Sequence, residues 1–414
     1  MNASAMRSTG PPSAAPAGRA APMWGVALGI TGIYLLSTLP SPLYVLYQRA
    51  FGFSVITLTV VYAFYVIGTI ASMFLFGRLS DQIGRRPVVL VAFGIAVASA
   101  VVFLFVSSTV WLFPARILSG LAIALSAGAS TAWVTELEPH HDTAKASKIV
   151  IGANTLGLGL GPVLSGVLAQ FAPAPLVLPY IVFAIIIVIV GALVWRIPSA
   201  TLRTKQSGAQ LFRPHLEVPR EIRARFVSPA IGTFAVFSVL GYYTALIPTL
   251  LSQALHNRNH AVAGAIVGGL FLAGAVAVAV TPLIDARKEL IVSLLALIPG
   301  VALMVVAEAA HSMPLLIAAT AIGGAASGIG YRCTLQLVNE MAPADRRSQV
   351  VSAYMIACYC GVSLPVVGVG VLSTFTASVT ADAIFAGVVV LFAIGALVTA
   401  VTFSASRRSH RAQA

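Results

Sequence analysis

The sequence predicts an all-α integral membrane protein with twelve transmembrane helices in two pseudo-symmetric six-helix halves. Three observations carry that prediction. The 414 residues are 58% hydrophobic and only 9% charged, with a mean hydropathy of +0.95, where soluble proteins carry about 25% charged residues. Twelve apolar runs each approach or exceed the ~20 residues that cross a bilayer. Finally, one offset of 204 residues superimposes second-half positions on first-half ones. Continuous runs, in place of alternating ten-residue segments, exclude a transmembrane barrel.

Residues 1–22 are rich in Ala, Pro, Ser and Gly, with Arg7 and Arg19, and read as a disordered cytoplasmic tail. They are not a signal peptide, because the following apolar run is too long for an h-region and lacks a cleavage site. The N-terminal half occupies 23–196, with apolar runs at 23–46, 56–76, 88–106, 112–134, 147–170 and 177–195. A polar linker follows at 197–226, where six Arg and Lys side chains face only Glu217 and Glu221 and prolines stand at 214 and 219. The C-terminal half occupies 227–403, with runs at 227–251, 261–283, 290–308, 314–338, 347–372 and 381–403, before a basic tail at 404–414.

The formal charge of +13 would suggest nucleic acid in a soluble protein; here its placement matters instead. With the N-terminus inside, Arg49 and Arg258 face outward and Arg116 and Arg332 lie within spans, leaving 21 of the 25 Lys and Arg on the cytoplasmic side. The positive-inside rule then puts both termini in the cytoplasm.

The 204-residue offset aligns Leu79 with Leu283, Asp81 with Asp285, Gly120 with Gly324, Glu136 with Glu340, Pro139 with Pro343, Gly157 with Gly361, Gly166 with Gly370 and Phe171 with Phe375. The matches include scarce charged residues at loop positions. Two like-oriented halves related by an axis along the membrane normal follow, with a substrate site expected between them near the midplane.

Between spans two and three stands Gly77-Arg-Leu-Ser-Asp81-Gln-Ile-Gly84-Arg85-Arg86-Pro87. Gly77 and Gly84 allow tight turns, and one carboxylate sits among three arginines, able to pair or to cap a neighbouring helix. The plain alternative is a positive anchor on the cytoplasmic face. The loop resembles the signature Gly-x-Leu-x-Asp-x-x-Gly-Arg-Arg of the major facilitator superfamily, and the twelve spans extend that resemblance over essentially the whole chain. It implies a conformational latch formed by Gly77, Asp81, Gly84, Arg85 and Arg86. The second-half counterpart, Thr281-Pro-Leu-Ile-Asp285-Ala-Arg287-Lys288, has lost both glycines, so Asp285 is expected to matter less than Asp81.

Span five carries Gly157-Leu-Gly159-Leu-Gly161-Pro162-Val-Leu-Ser165-Gly166. Small residues expected on one helix face permit close helix approach, and the interior proline bends the helix. Generic packing is the alternative reading. Gly157, Gly161, Pro162 and Gly166 resemble the motif of the superfamily's drug:proton antiporters, which implies export; Ser165 replaces a frequent glycine. Arg116, opening span four, either snorkels to the outer surface or, by resemblance to the superfamily's Arg-x-x-x-Gly motif, takes part in proton coupling; Ser119 departs from that motif's Gln.

Arg332 lies in the cytoplasmic third of span ten, where it either snorkels inward or lines the cavity. With Tyr331 and Gln336 it is a candidate substrate contact, one that favours anionic or carboxylate-bearing compounds. Tyr34 and Thr38, within a hydroxyl- and proline-rich stretch of span one, and Asn154 of span five complete the candidate substrate site. Glu136 and Glu340 end spans four and ten beside basic loops and are expected to pair with residues such as Arg85 when the cytoplasmic side is closed.

Of the twelve acids, Glu308 and Asp382 fall near outer span ends and the rest read as cytoplasmic, so no carboxylate is expected at mid-depth and the proton carrier is left unidentified. The histidines fall in loops or tails, and Cys333, Cys358 and Cys360 read as buried free thiols. No metal cluster, cofactor motif or nucleotide-binding loop is present in the sequence, and no nucleophile and base share a span. The expectation is a monomeric secondary transporter of the inner membrane, exporting a small molecule, drug or metabolite, in exchange for protons, with no catalytic residues. The rivals are a proton-coupled uptake symporter for a sugar or organic acid, which the span-five motif disfavours, and an integral-membrane enzyme or receptor.

Overall fold

The computed structural model describes residues 20–76, 79–140, 142–197, 218–281, 285–343 and 346–412, with backbone alone at 81, 144, 348 and 401–412. Most of the expected N-terminal tail, most of the linker and Gly77 lie outside this set.

The first half comprises α1 (Ala21–Thr38), α2 (Tyr44–Phe51), α3 (Val55–Phe76), α4 (Leu79–Ile83), α5 (Arg85–Leu104), α6 (Leu112–Leu137), α7 (Thr143–Phe171) and α8 (Leu178–Trp195). The second comprises α9 (Arg220–Ala245), α10 (Ile247–Gln253), α11 (His260–Val280), α12 (Ala286–Ala309), α13 (Met313–Met341), α14 (Arg347–Leu372) and α15 (Ser378–Ala412). Together they supply twelve helical segments long and apolar enough to cross a membrane. Helix is the only economical solution for such segments, because hydrocarbon offers backbone groups no partner.

The two largest departures from the sequence reading share one reason. Helix α9 begins at Arg220, inside the expected linker, and α15 runs through the expected basic tail to Ala412. Arg220, Glu221, Arg223 and Arg225 are exposed. Polar extensions of this kind continue a span's backbone hydrogen bonding past the apolar core, where a hydropathy count no longer registers them.

An even number of crossings brings both chain ends to one face, here termed the terminal face; the opposite one is the far face. Large exposed aromatics cluster at helix ends, with Trp24 and Trp195 toward the terminal face and Phe105, Trp111, Phe171 and Phe375 toward the far face. Such belts mark the two water interfaces of a bilayer.

The duplication shows in the breaks. The first span interrupts at Leu39–Leu43 around Pro40 and Pro42, with a 3₁₀ turn before α2, and the seventh interrupts at Leu246 before Pro248 and α10. Proline removes the donor that the helix ladder needs. Within the first half α1 packs on α6, α7 and α8; within the second α9 packs on α13, α14 and α15. The halves meet where α7 lies on α11 and α3 on α14.

Candidate functional site

The closest approaches between the halves depend on missing side chains. A Cβ on Gly264 of α11 would overlap the Pro162 carbonyl, one on Gly166 would overlap the His260 carbonyl, and one on Gly268 would meet the Gly159 carbonyl at 2.5 Å. Helices α7 and α11 therefore touch backbone to backbone. Gly157 and Gly161 point the other way, against the Thr31 and Leu35 carbonyls of α1. The small residues thus occupy two faces of α7, which corrects the one-face expectation. Positions four apart share a face and those two apart do not, so 157 and 161 serve the half's interior while 159 and 166 serve the partner half.

Further contacts close the far face. Thr244 Oγ1 of α9 and the Tyr62 hydroxyl of α3 lie 2.7 Å apart, Thr249 Oγ1 donates to Gln48 Oε1 at 3.4 Å, and the His260 N–H donates to Gln170 Oε1 at 2.9 Å. Gly370 of α14 packs on Ile56 and Thr59 of α3. Behind this closure sits Arg116, 1% exposed. Its Nη1 donates to the Ser37 carbonyl at 3.1 Å, and its guanidinium lies 5.9, 5.4 and 5.1 Å from the rings of Tyr44, Tyr62 and Tyr65. Cation–π contacts in a desolvated site are worth about 2 kcal/mol or more each, and they speak against the snorkelling alternative for Arg116.

Below the closure, four tyrosines from both halves lie near mid-depth: Tyr359 of α14 is within electrostatic range of Tyr34 of α1, Tyr65 of α3 and Tyr331 of α13. All four are half-buried, and Phe237 meets Tyr331 edge-on at 5.4 Å. This aromatic cluster is the candidate substrate site. Tyr34 and Tyr331 belong to it, and Asn154 is half-buried on α7. Thr38 is spent on packing, its Oγ1 donating to the Leu158 carbonyl at 2.9 Å, and Gln336 Nε2 donates to Glu340 Oε1 at 2.9 Å.

Arg332, grouped with the substrate contacts on sequence grounds, is turned to its own half instead. Its Nη2 donates to Glu289 Oε2 at 2.6 Å and its Nη1 to the Val278 and Thr281 carbonyls at 2.9 and 3.1 Å. Cys333 Sγ donates to the same Glu289 oxygen at 3.2 Å. The charge braces the ends of α11, α12 and α13. A carboxylate partner offsets the desolvation of the Arg332 charge, and Glu289, one turn into α12, is within reach. All three cysteines are free, Cys360 only half-buried.

At the terminal face Gly84 has φ 94° and caps α5, a backbone state that only glycine takes freely. Arg85 Nε donates to Glu136 Oε1 at 3.1 Å and its Nη1 to Ser80 Oγ at 2.7 Å; Arg86 Nη1 donates to the Trp195 carbonyl at 3.2 Å. Asp81 lies on α4. Asp285 caps α12, its Oδ1 accepting the Arg287 N–H at 2.9 Å.

Between α6 and α7, Glu138 accepts the N–H groups of His140 and Asp142 at 2.7 and 2.8 Å and the Lys145 ammonium at 3.0 Å. The Asp142 amide foremost, with Lys145 and His140, holds its carboxyl down to about 2 from an ordinary 4.5. A depressed carboxylate stabilises its turn fully above the ordinary value and loses that contribution as pH falls toward the depressed one. Amide exchange over 138–145, corrected for intrinsic rates, should stay slow to about pH 4.5 and quicken toward pH 2. Protection flat across that window would exclude the carboxylate as the cause.

The family model described as Major Facilitator Superfamily matches residues 26–365. The chain belongs to this superfamily. It is a multi-pass membrane transporter and not an enzyme. Among solved structures, the crystal structure of a point mutant of the nucleoside transporter NupG is 14% identical, with a TM-score of 0.74 over 91% of this chain and 99% of that one; at that identity it shows the fold. No curated protein matches.

Proposed function

We propose that this transporter is a monomeric secondary exporter of the inner membrane, its terminal face cytoplasmic, that moves a small molecule outward in exchange for protons by alternating access. The observation that carries the reading is the backbone contact of α7 on α11, made by Gly159, Pro162 and Gly166 against Gly264 and Gly268. It closes the far face above the tyrosine cluster, and being made largely by glycines between halves it has few interlocked side chains to undo. The resemblance of this same segment to antiporter motifs supports export. The basic residues concentrated at the terminal face support its cytoplasmic placement.

The tyrosine cluster suits a molecule with a flat apolar part and hydrogen-bonding groups at its edge, which stack on rings and meet hydroxyls. A nucleoside, the substrate named for the solved relative, has that chemistry. With Arg332 committed to Glu289, the argument for anions weakens. Arg116, held among three tyrosines behind the closure, is placed to tune the proton step.

Everted vesicles, acidic inside, test the reading with nucleosides and with neutral, anionic and cationic flat compounds, while a fluorescent probe follows the gradient. A compound that discharges the gradient in wild type and not in Asp81→Asn supports proton-coupled export. Accumulation of that compound by intact cells, with no discharge in vesicles, would reverse the direction to uptake.

A further inference from the structure

Two carboxylic acids meet inside the C-terminal half. Glu308, at the far-face end of α12, is 1% exposed, and Asp382, at the far-face start of α15, is 6% exposed. Their side chains interact electrostatically across the packed helices α12 and α15, and the Tyr242 hydroxyl of α9 stands near Asp382. Tyr242 is itself 1% exposed and its ring stacks on Phe385, one turn past Asp382, at 4.7 Å. Glu308 Oε2 and the Tyr242 hydroxyl are buried with no protein hydrogen-bond partner. Among the described residues neither acid forms an ion pair with a base.

The neighbouring elements bring no counter-charge to the pair. From α9, Tyr243 is the other titratable group, its hydroxyl 3.4 Å from Thr320 of α13. His311, just past α12, is turned to the Ala254 carbonyl at 2.7 Å. The far-face halves of α13 and α14, up to Ser327 and beyond Cys360, contain no titratable side chain. Two anions facing each other in a desolvated site without a cation cannot both persist.

We propose that Glu308, Asp382 and Tyr242 form a proton-binding site in which one proton is shared between the two carboxyls. The proton adds to one carboxylate oxygen, giving an acid O–H that donates to the other carboxylate, while Tyr242 donates to the oxygen left over; no bond breaks and one negative charge remains on the pair. Glu308 stands one residue from the end of α12 and Asp382 four from the start of α15, about 2 and 6 Å of helix rise. That is a short path from the far face, which the reading of proton-coupled export places outside, so this step rests on that reading. Two residues beyond Tyr242 is Thr244, the α9 partner of Tyr62 across the closure. Losing the shared proton would leave a buried dianion that demands water, and Tyr242 transmits that demand to the helix that holds the far face shut.

Infrared pH titration of the purified full chain in potassium chloride tests the site without any transport measurement. Wild type is expected to show a protonated-carboxyl band at neutral pH that vanishes on alkalinisation. Asp382→Asn and Glu308→Gln should each remove it, and Tyr242→Phe should keep it at a displaced frequency. No band in wild type, or a band untouched by both carboxyl substitutions, overturns the proposal. So does a band abolished by sodium and not by potassium, which would assign the pair to a metal cation. If the band behaves as stated while no compound discharges the gradient in vesicles, the site stands and proton-coupled export falls.

Discussion

Arg332→Ala is expected to destabilise the purified protein by about 3–5 kcal/mol, the usual cost of removing one partner of a buried ion pair. The two side chains are 12% and 8% exposed, so solvent does little to screen the charge left behind. Glu289 would lose the Arg332 donor at its Oε2, and the carbonyls of Val278 and Thr281 would lose theirs. Thermal unfolding in detergent measures the loss. The double substitution Glu289→Gln with Arg332→Met should recover most of it, because an uncharged pair of similar volume removes the stranded carboxylate. A single substitution with wild-type stability would show that the pair is solvated in the membrane and that its bracing role is wrong. Substrate selectivity should follow stability in these variants and not the charge of the compound.

Gly264→Val should act on conformation more than on folding. Its side chain would overlap the Pro162 carbonyl, a backbone atom with no freedom to yield. The obstructed contact lies between the halves, so each half can keep its own packing while the far face is pushed open. Overpacking costs about 1–3 kcal/mol, which translates into a shift of about 5–150-fold in the balance of states. Gln170→Cys reports it, since Gln170 sits in the closed contact with His260. A membrane-impermeant maleimide should label that cysteine faster in the Gly264→Val background, and transport should fall together with the loss of closure. Equal labelling in both backgrounds would mean that the α7–α11 contact is no gate. Gly120→Val is the contrast: its Cβ would overlap the Tyr65 carbonyl within the first half, so it should reduce the yield of folded protein without favouring either state.

The sequence made the spans, the repeat and the loop between α3 and α5 legible, since length, hydropathy and scarce charges all report position along the membrane normal. Direction around each helix was much less legible. In a bilayer both the lipid-facing and the packed side of a helix are apolar, so periodicity carries little signal. Glu308 and Asp382 could be placed near span ends by counting, but 74 residues separate them and nothing local says that they face each other. Arg332 posed the same problem. Its depth was readable, while its partner 43 positions earlier was not. The α7 glycines were misjudged in the same way, read on one face although they divide between α1 and α11.

The duplicated halves have also diverged in stiffness. Under the 204-residue offset, Glu289 stands where Arg85 stands in the first half, so the ion pairs that tie the third helix of each half to its fourth have opposite polarity. Arg85 at the start of α5 and Glu136 at the end of α6 each oppose the dipole of their own helix, and the pair is solvent-screened at 20% and 39% exposure. Glu289 lies in the first turn of α12, where a negative charge suits the helix dipole, and its bond to Arg332 is buried. One half therefore holds its terminal face with a weak, salt-sensitive tie and the other with a tight one. Raised salt should therefore loosen α5 from α6 at that face while leaving α12 held to α13.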